Sequence, residues 1–189
     1  MSKPRVQRPT PPTPPKVRPR SLVLVNTGNG KGKSTAAFGV VMRALARDWR
    51  VCVIQFIKSG EWKVGEKKIA RQLGVDWLEG GDGFSWESPD LEESAGRAAA
   101  AWHLAAAAIA SGEYQLVVLD EITYPMNWGW IDSTAVTDAI RTRPAQVNIV
   151  ATGRDAPEAL IEVADTVTEM VKIRHAYDRG IRARRGIDF

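Results

Sequence analysis

Gly28, Asn29, Gly30, Lys31, Gly32, Lys33, Ser34 and Thr35 form a glycine-rich run between an apolar segment, Leu22 to Val25, and a helical pattern from about Lys33 to Arg47. A strand, a glycine turn and a helix in that order let successive backbone N–H groups point inward at phosphate oxygens. The positive end of the helix adds favourable potential for the same anion. Lys33 supplies a point charge to such a ligand, and the Ser34 hydroxyl is placed to contact Mg2+. The strict form of this motif has glycine six positions before the lysine, where this chain has Thr27. Gly28 and Gly30 are expected to relieve the turn in its place.

A second chemical signal follows in Leu116-Val117-Val118-Leu119-Asp120-Glu121, an apolar strand that delivers two carboxylates at its C-terminal end. Open α/β sheets bind ligands at that end of their strands. One carboxylate can hold a metal, directly or through water, and the other can position a group near the phosphates. Paired acids after a strand are often only solvated, but the glycine loop and the acid pair together specify a nucleotide site.

The elements that must position these groups alternate. A strand over Val51 to Phe56 precedes a short helix over Val64 to Leu73, a short strand over Val75 to Leu78 and a glycine-rich loop over Glu79 to Ser88. Ser88 is placed to cap a long alanine-rich helix with Pro89 at its first position, ending near Gly112. After the acid strand, Asp132 is expected to cap a helix, and Val147 to Ala151 forms another strand. Asp155 and Glu158 have capping-box spacing for a helix towards Val163. A last strand lies within Thr166 to Ile173. Apolar strands alternating with helices imply an α/β fold, a mostly parallel sheet with helices on both faces.

A chain of 189 residues with 44% hydrophobic residues suits one globular domain. Residues 1–20 form a basic arm holding seven of the eleven prolines, expected to be disordered or ordered by a ligand, and residues 21–189 form the domain. The arm contains six of the 26 Lys and Arg residues and no acid, so 20 basic residues face 22 acidic ones in the remainder. That excludes a basic nucleic-acid-binding body. No apolar run approaches the roughly 20 residues of a membrane span, and no apolar segment like that of a signal peptide is present at the N-terminus. Cys52 is the single cysteine and reads as a small apolar residue of a buried strand. A cytoplasmic protein is expected.

Beyond the two motifs, the chain resembles the P-loop type of ATP:corrinoid adenosyltransferase over roughly Leu22 to Phe189. The resemblance rests on Thr27 through Gly39, on Val53-Ile54-Gln55-Phe56-Ile57-Lys58, and on Gly83-Phe84-Ser85-Trp86-Glu87. It continues in Leu119-Asp120-Glu121, Thr152-Gly153-Arg154, His175-Ala176-Tyr177-Asp178 and Gly186-Ile187-Asp188-Phe189. It implies a single P-loop NTPase-like domain that takes ATP as cosubstrate and a corrinoid as acceptor, with ATP reversed relative to most P-loop enzymes. Co(I) attacks the ribose C5′, a Co–C bond forms and inorganic triphosphate leaves.

By the same resemblance, Gly28 to Thr35 wrap the triphosphate with Lys33 as the main cationic contact, and Lys31 adds charge. Ser34 with Glu121 or Asp120 holds Mg2+. Arg43, on the helix after the loop, contacts the nucleotide or is an ordinary exposed arginine. Phe84 and Trp86 pack beneath the corrin and displace its lower axial ligand, which eases reduction of Co(II). A reduced flavoprotein as electron donor and a homodimer are also implied. Two rival readings are a P-loop ATPase or kinase, with Glu121 orienting a nucleophile, and a non-catalytic ATP-binding module.

Overall fold

The computed structural model describes residues 20–57, 65–84 and 91–188, with the backbone alone over 79–84. Ser88 and Pro89, read as the start of the long helix, and Trp86 lie outside the described residues. Six strands form one sheet: β1 (Val23–Thr27), β2 (Val51–Ile57), β3 (Asp76–Phe84), β4 (Leu116–Asp120), β5 (Asn148–Thr152) and β6 (Thr166–Glu169). Their order is β3-β2-β4-β5-β1-β6, and every pairing is parallel.

The helices are α1 (Lys33–Leu45), α2 (Gly65–Gln72), α3 (Leu91–Ser111), α4 (Thr123–Asn127), α5 (Ser133–Arg141) and α6 (Glu158–Glu162). Alternation along the strands sorts their side chains into two cores. Val23, Val25, Cys52, Ile54, Val117, Leu119 and Ile149 pack with residues of α3, α5 and α6. Val51, Val53, Leu116, Val118 and Val150 pack with Ala37, Val41 and Ala44 of α1 and Ala70 of α2. Because side chains alternate faces along a strand, two separate clusters mean that the sheet is buried on both sides. Burial pushes the Cys52 thiol up to about 12, so it stays protonated and packs as an apolar group.

Three local readings change. The strand expected over Val75 to Leu78 continues to Phe84 through the glycine-rich stretch read as a loop. Its register shifts between Gln55 and Ile57, from Gln55 opposite Glu79 to Ile57 opposite Phe84. Glycines at such an irregularity are common because the extra residues need room and unusual dihedrals. The short helix α4 has no counterpart among the elements read from the sequence; its Pro125 falls in the first turn, where a missing N–H costs no intrahelical bond.

Asp132 does cap α5, accepting from Thr134 N at 2.9 Å. Asp155 does not cap α6: Pro157 is the cap residue, and Glu158 is the first helical one. The residue before a proline avoids helical dihedrals, so Ala156 cannot begin the helix that the capping-box spacing required. Among the described residues, no helix is long and apolar enough to cross a membrane.

Candidate active site

β1 does not end where the apolar run does. It continues through Thr27, whose Oγ1 accepts from Ala156 N at 3.0 Å. The threonine at the motif's usual glycine position is therefore a buried strand residue tying the loop after β5 to β1. The turn begins one residue later, at Gly28 with φ 92.

The glycines of this turn answer to the polypeptide as well as to any ligand. A Cβ on Gly28 or on Gly30 would lie 2.6 Å from Met170 O, just beyond β6. Gly30 N donates to that carbonyl at 2.5 Å, and Met170 N donates to Thr27 O at 2.8 Å. The loop is thus seated on the segment after the edge strand. Lys33 Nζ crosses it, donating to Gly28 O at 2.9 Å and Gly30 O at 2.8 Å. Burial, and then the nearby Arg154 guanidinium, lower the Lys33 pKa from its ordinary value.

A cleft of about 570 Å³ opens at the C-terminal ends of β1, β2 and β4. Asn29 through Thr35 line it together with Asp120 and Glu121, so the structure brings the loop and the carboxylate pair to one place. Gly28 is buried beneath the loop and contributes its carbonyl to Lys33 rather than a cleft wall. Arg43 stands exposed on the last turn of α1, away from this wall. Phe84 ends β3 with its backbone beside Ile57, which does line the cleft.

Asp120 is 2% exposed. Its Oδ1 accepts from Thr152 Oγ1 at 2.7 Å, and its Oδ2 accepts from Gln55 Nε2 at 3.4 Å. Burial raises its pKa, and hydrogen bonds from Thr152, Ser34 and Gln55 oppose the rise. Glu121 follows with φ 62, the left-handed region that non-glycine residues avoid. Burial and the neighbouring Asp120 push its carboxyl up to about 7, against Lys33 and Arg154.

Two oxygen acids and a hydroxyl on one wall suit Mg2+, a hard cation that commonly takes one or two carboxylates plus phosphate oxygens. The buried Asp120 carboxylate is bonded to neutral donors and gains from an added positive charge. Among the described residues no group of three or more His, Cys, Asp or Glu forms a metal cage.

Several cleft residues carried no individual role in the sequence. Gln55 stands in the last half of β2 and Arg154 just past the end of β5, on the ligand side of the sheet, a position that could have flagged them. Tyr124 and Glu66 had no such signal. Asp188 comes from far along the chain to pair with Lys31 at 2.6 Å. That ion pair holds the Asp188 carboxyl below its usual range. Arg154, His175, Lys31 and Asp188 also border a second cavity of about 910 Å³, walled by Lys172, Tyr177 and Arg182.

The turn carrying Arg154 is fixed by Gly153, φ 143, against which Thr123 packs so closely that an added Cβ would sit 1.9 Å from Thr123 Oγ1. Thr123 Oγ1 donates to Arg154 O at 2.6 Å. Gly153→Ala is expected to cost about 3 kcal/mol through overpacking and a disfavoured φ. Thermal denaturation should show a fall of roughly 6–12 °C, partly recovered in Thr123→Ala/Gly153→Ala.

A parallel sheet with a glycine loop after β1 and a carboxylate pair at the end of β4, both opening on one cleft, defines a P-loop nucleotide-binding protein. The chain belongs to the ATP:corrinoid adenosyltransferase BtuR/CobO/CobP family, whose model matches residues 19–189. It is 43% identical over 172 residues to a corrinoid adenosyltransferase of Pseudomonas aeruginosa, covering 90% of this chain and 84% of that protein. A corrinoid adenosyltransferase of Escherichia coli is 37% identical over 170 residues, 90% of this chain and 86% of that protein. One from Sinorhizobium is 39% identical over 174 residues, with 90% and 81% covered.

Proposed function

We propose that this enzyme transfers the 5′-deoxyadenosyl group of ATP to the Co(I) of a corrinoid. The observation that carries the reading is the convergence of the phosphate loop and the Asp120–Glu121 pair on one cleft, in a chain that belongs to this family from residue 19 onward. The cobalt electron pair forms the Co–C bond while the C5′–O bond breaks, and its electrons leave with inorganic triphosphate. No protein nucleophile is required. The chain's task is to bind a highly charged leaving group and to hold C5′ in line with cobalt.

In this reading Lys33, the loop N–H groups and Arg154 receive the triphosphate, with Lys31 adding charge. Ser34, Asp120 and Glu121 hold Mg2+, which when bound neutralises charge on the phosphates. A P-loop ATPase or kinase acts at a phosphorus atom, whereas this reaction cleaves a C–O bond. An ATP analogue with an imido bridge between the β and γ phosphates therefore separates the two. It should support Co–C bond formation at a rate near that of ATP; failure with the analogue while ATP is consumed to phosphate would overturn the proposal.

The finer parts of the reading are a homodimer, a reduced flavoprotein as electron donor, and a cytoplasmic location, with which the single buried thiol is in keeping. Phe84 and Trp86 are proposed to form an apolar, water-excluding lower face for the corrin, which favours a four-coordinate Co(II) that is easier to reduce. Trp86→Ala should then lower transfer starting from Co(II) by about tenfold or more while sparing pre-reduced Co(I). Parallel anaerobic assays from the two oxidation states check this, and equal losses would remove the reduction role.

A further inference from the structure

Thr152 ends β5, the strand between β1 and β4 in the sheet, so it stands between the strand of the phosphate loop and the strand of the carboxylates. It is fully buried at 0% exposure. Its Oγ1 donates to Asp120 Oδ1 at 2.7 Å and accepts the Glu121 N–H at 2.9 Å. A hydroxyl has one proton, and giving it to Asp120 turns the oxygen's lone pairs towards Glu121. The two bonds polarise one another in a dry environment.

One side chain therefore fixes both acids. It sets the plane of the Asp120 carboxylate and tethers Glu121 in the left-handed backbone conformation, φ 62, that aims its side chain from the strand end. The anchor itself is rigid, because Thr123 Oγ1 holds the same turn two residues on, at Arg154 O. We propose that Thr152 is a positioning residue for the transfer reaction, a clamp that holds Asp120 and Glu121 in the arrangement that takes a divalent cation together with the triphosphate. The proposal rests on the reading of these acids as the metal side of the cleft.

Removing the hydroxyl leaves Asp120 Oδ1 and the Glu121 N–H without their shared partner, while the methyl groups of valine preserve the volume. Thr152→Val and Thr152→Ser would be compared with the parent by calorimetric titration of ATP, once with Mg2+ and once with EDTA, beside ligand-free thermal denaturation. If valine does not fold, Thr152→Ala takes its place. Outer-sphere partners of metal ligands are commonly worth about 10–100-fold in metal affinity. The gain in ATP affinity on adding Mg2+ should fall by about tenfold or more in the valine variant, with EDTA affinity little changed. Serine should restore the gain.

A valine variant that keeps the full Mg2+-dependent gain, or that loses affinity equally with Mg2+ and with EDTA, would reduce Thr152 to ordinary packing. Asp120→Asn serves as the control on the underlying reading. If it too keeps the Mg2+-dependent gain, the assignment of the acids has failed; if it loses the gain while valine keeps it, only the clamp has failed.

Discussion

Lys33→Ala is expected to lower adenosyl transfer by about 10³-fold while leaving the fold in place. Lys33 Nζ sits between Gly28 O and Gly30 O, so its ammonium already occupies the centre of the loop, where the leaving triphosphate gathers charge. Charge stabilisation by a preorganised donor in a partly buried cleft is worth more than in water. Burial lowers the Lys33 pKa, so the protein has already met a cost to keep that charge there. Lys33→Arg should not restore the rate, since a planar fork replaces a point charge that fits between two carbonyls. Steady-state transfer assays beside circular dichroism test this; a variant within tenfold of the parent would remove Lys33 from the role.

Glu121→Gln should separate stability from function. The Glu121 carboxyl is raised from 4.5 to about 7, chiefly by burial and then by Asp120. A carboxyl that holds its proton more tightly in the folded state contributes stability that is fully present below its unfolded value and is lost as pH rises through about 7. The full effect is about 3 kcal/mol at most. Glutamine does not ionise, so at pH 8 the ligand-free variant should melt roughly 3–8 °C above the parent, and the difference should vanish near pH 4.5.

The same substitution removes a negative oxygen from the proposed Mg2+ site, and transfer should fall by about 10²-fold or more. Mg-ATP should stabilise the parent but barely stabilise the variant. Melting curves across pH, with and without Mg-ATP, carry both halves of the prediction. A variant that is no more stable at pH 8, or one that still transfers at the parental rate, would contradict this account of Glu121.

The phosphate loop was legible because its signals are local: glycine spacing, a lysine followed by a hydroxyl, and the change from an apolar strand to a helical period. The Asp120–Glu121 pair was legible for the same reason. Thr27 was a puzzle in the sequence because the motif's glycine slot falls, in this chain, on the last strand residue, whose hydroxyl is committed to Ala156. Sheet order has no local signature, and the contributions of Gln55, Thr152 and Arg154 depend on β2 and β5 flanking β4.

Two errors were local conflicts. The glycines after Leu78 argued against a strand that β2 holds through a register shift. Asp155 and Glu158 matched a cap by spacing alone, and Pro157 between them overrode it.

The most direct measurement is an anaerobic reaction of the purified chain with Mg-ATP and chemically reduced Co(I) corrinoid, with the Co–C product followed by its spectrum and triphosphate and phosphate assayed in the same sample. One triphosphate per adenosylated corrinoid, with no phosphate released, is the predicted result. ATP converted to phosphate with no Co–C product would contradict it.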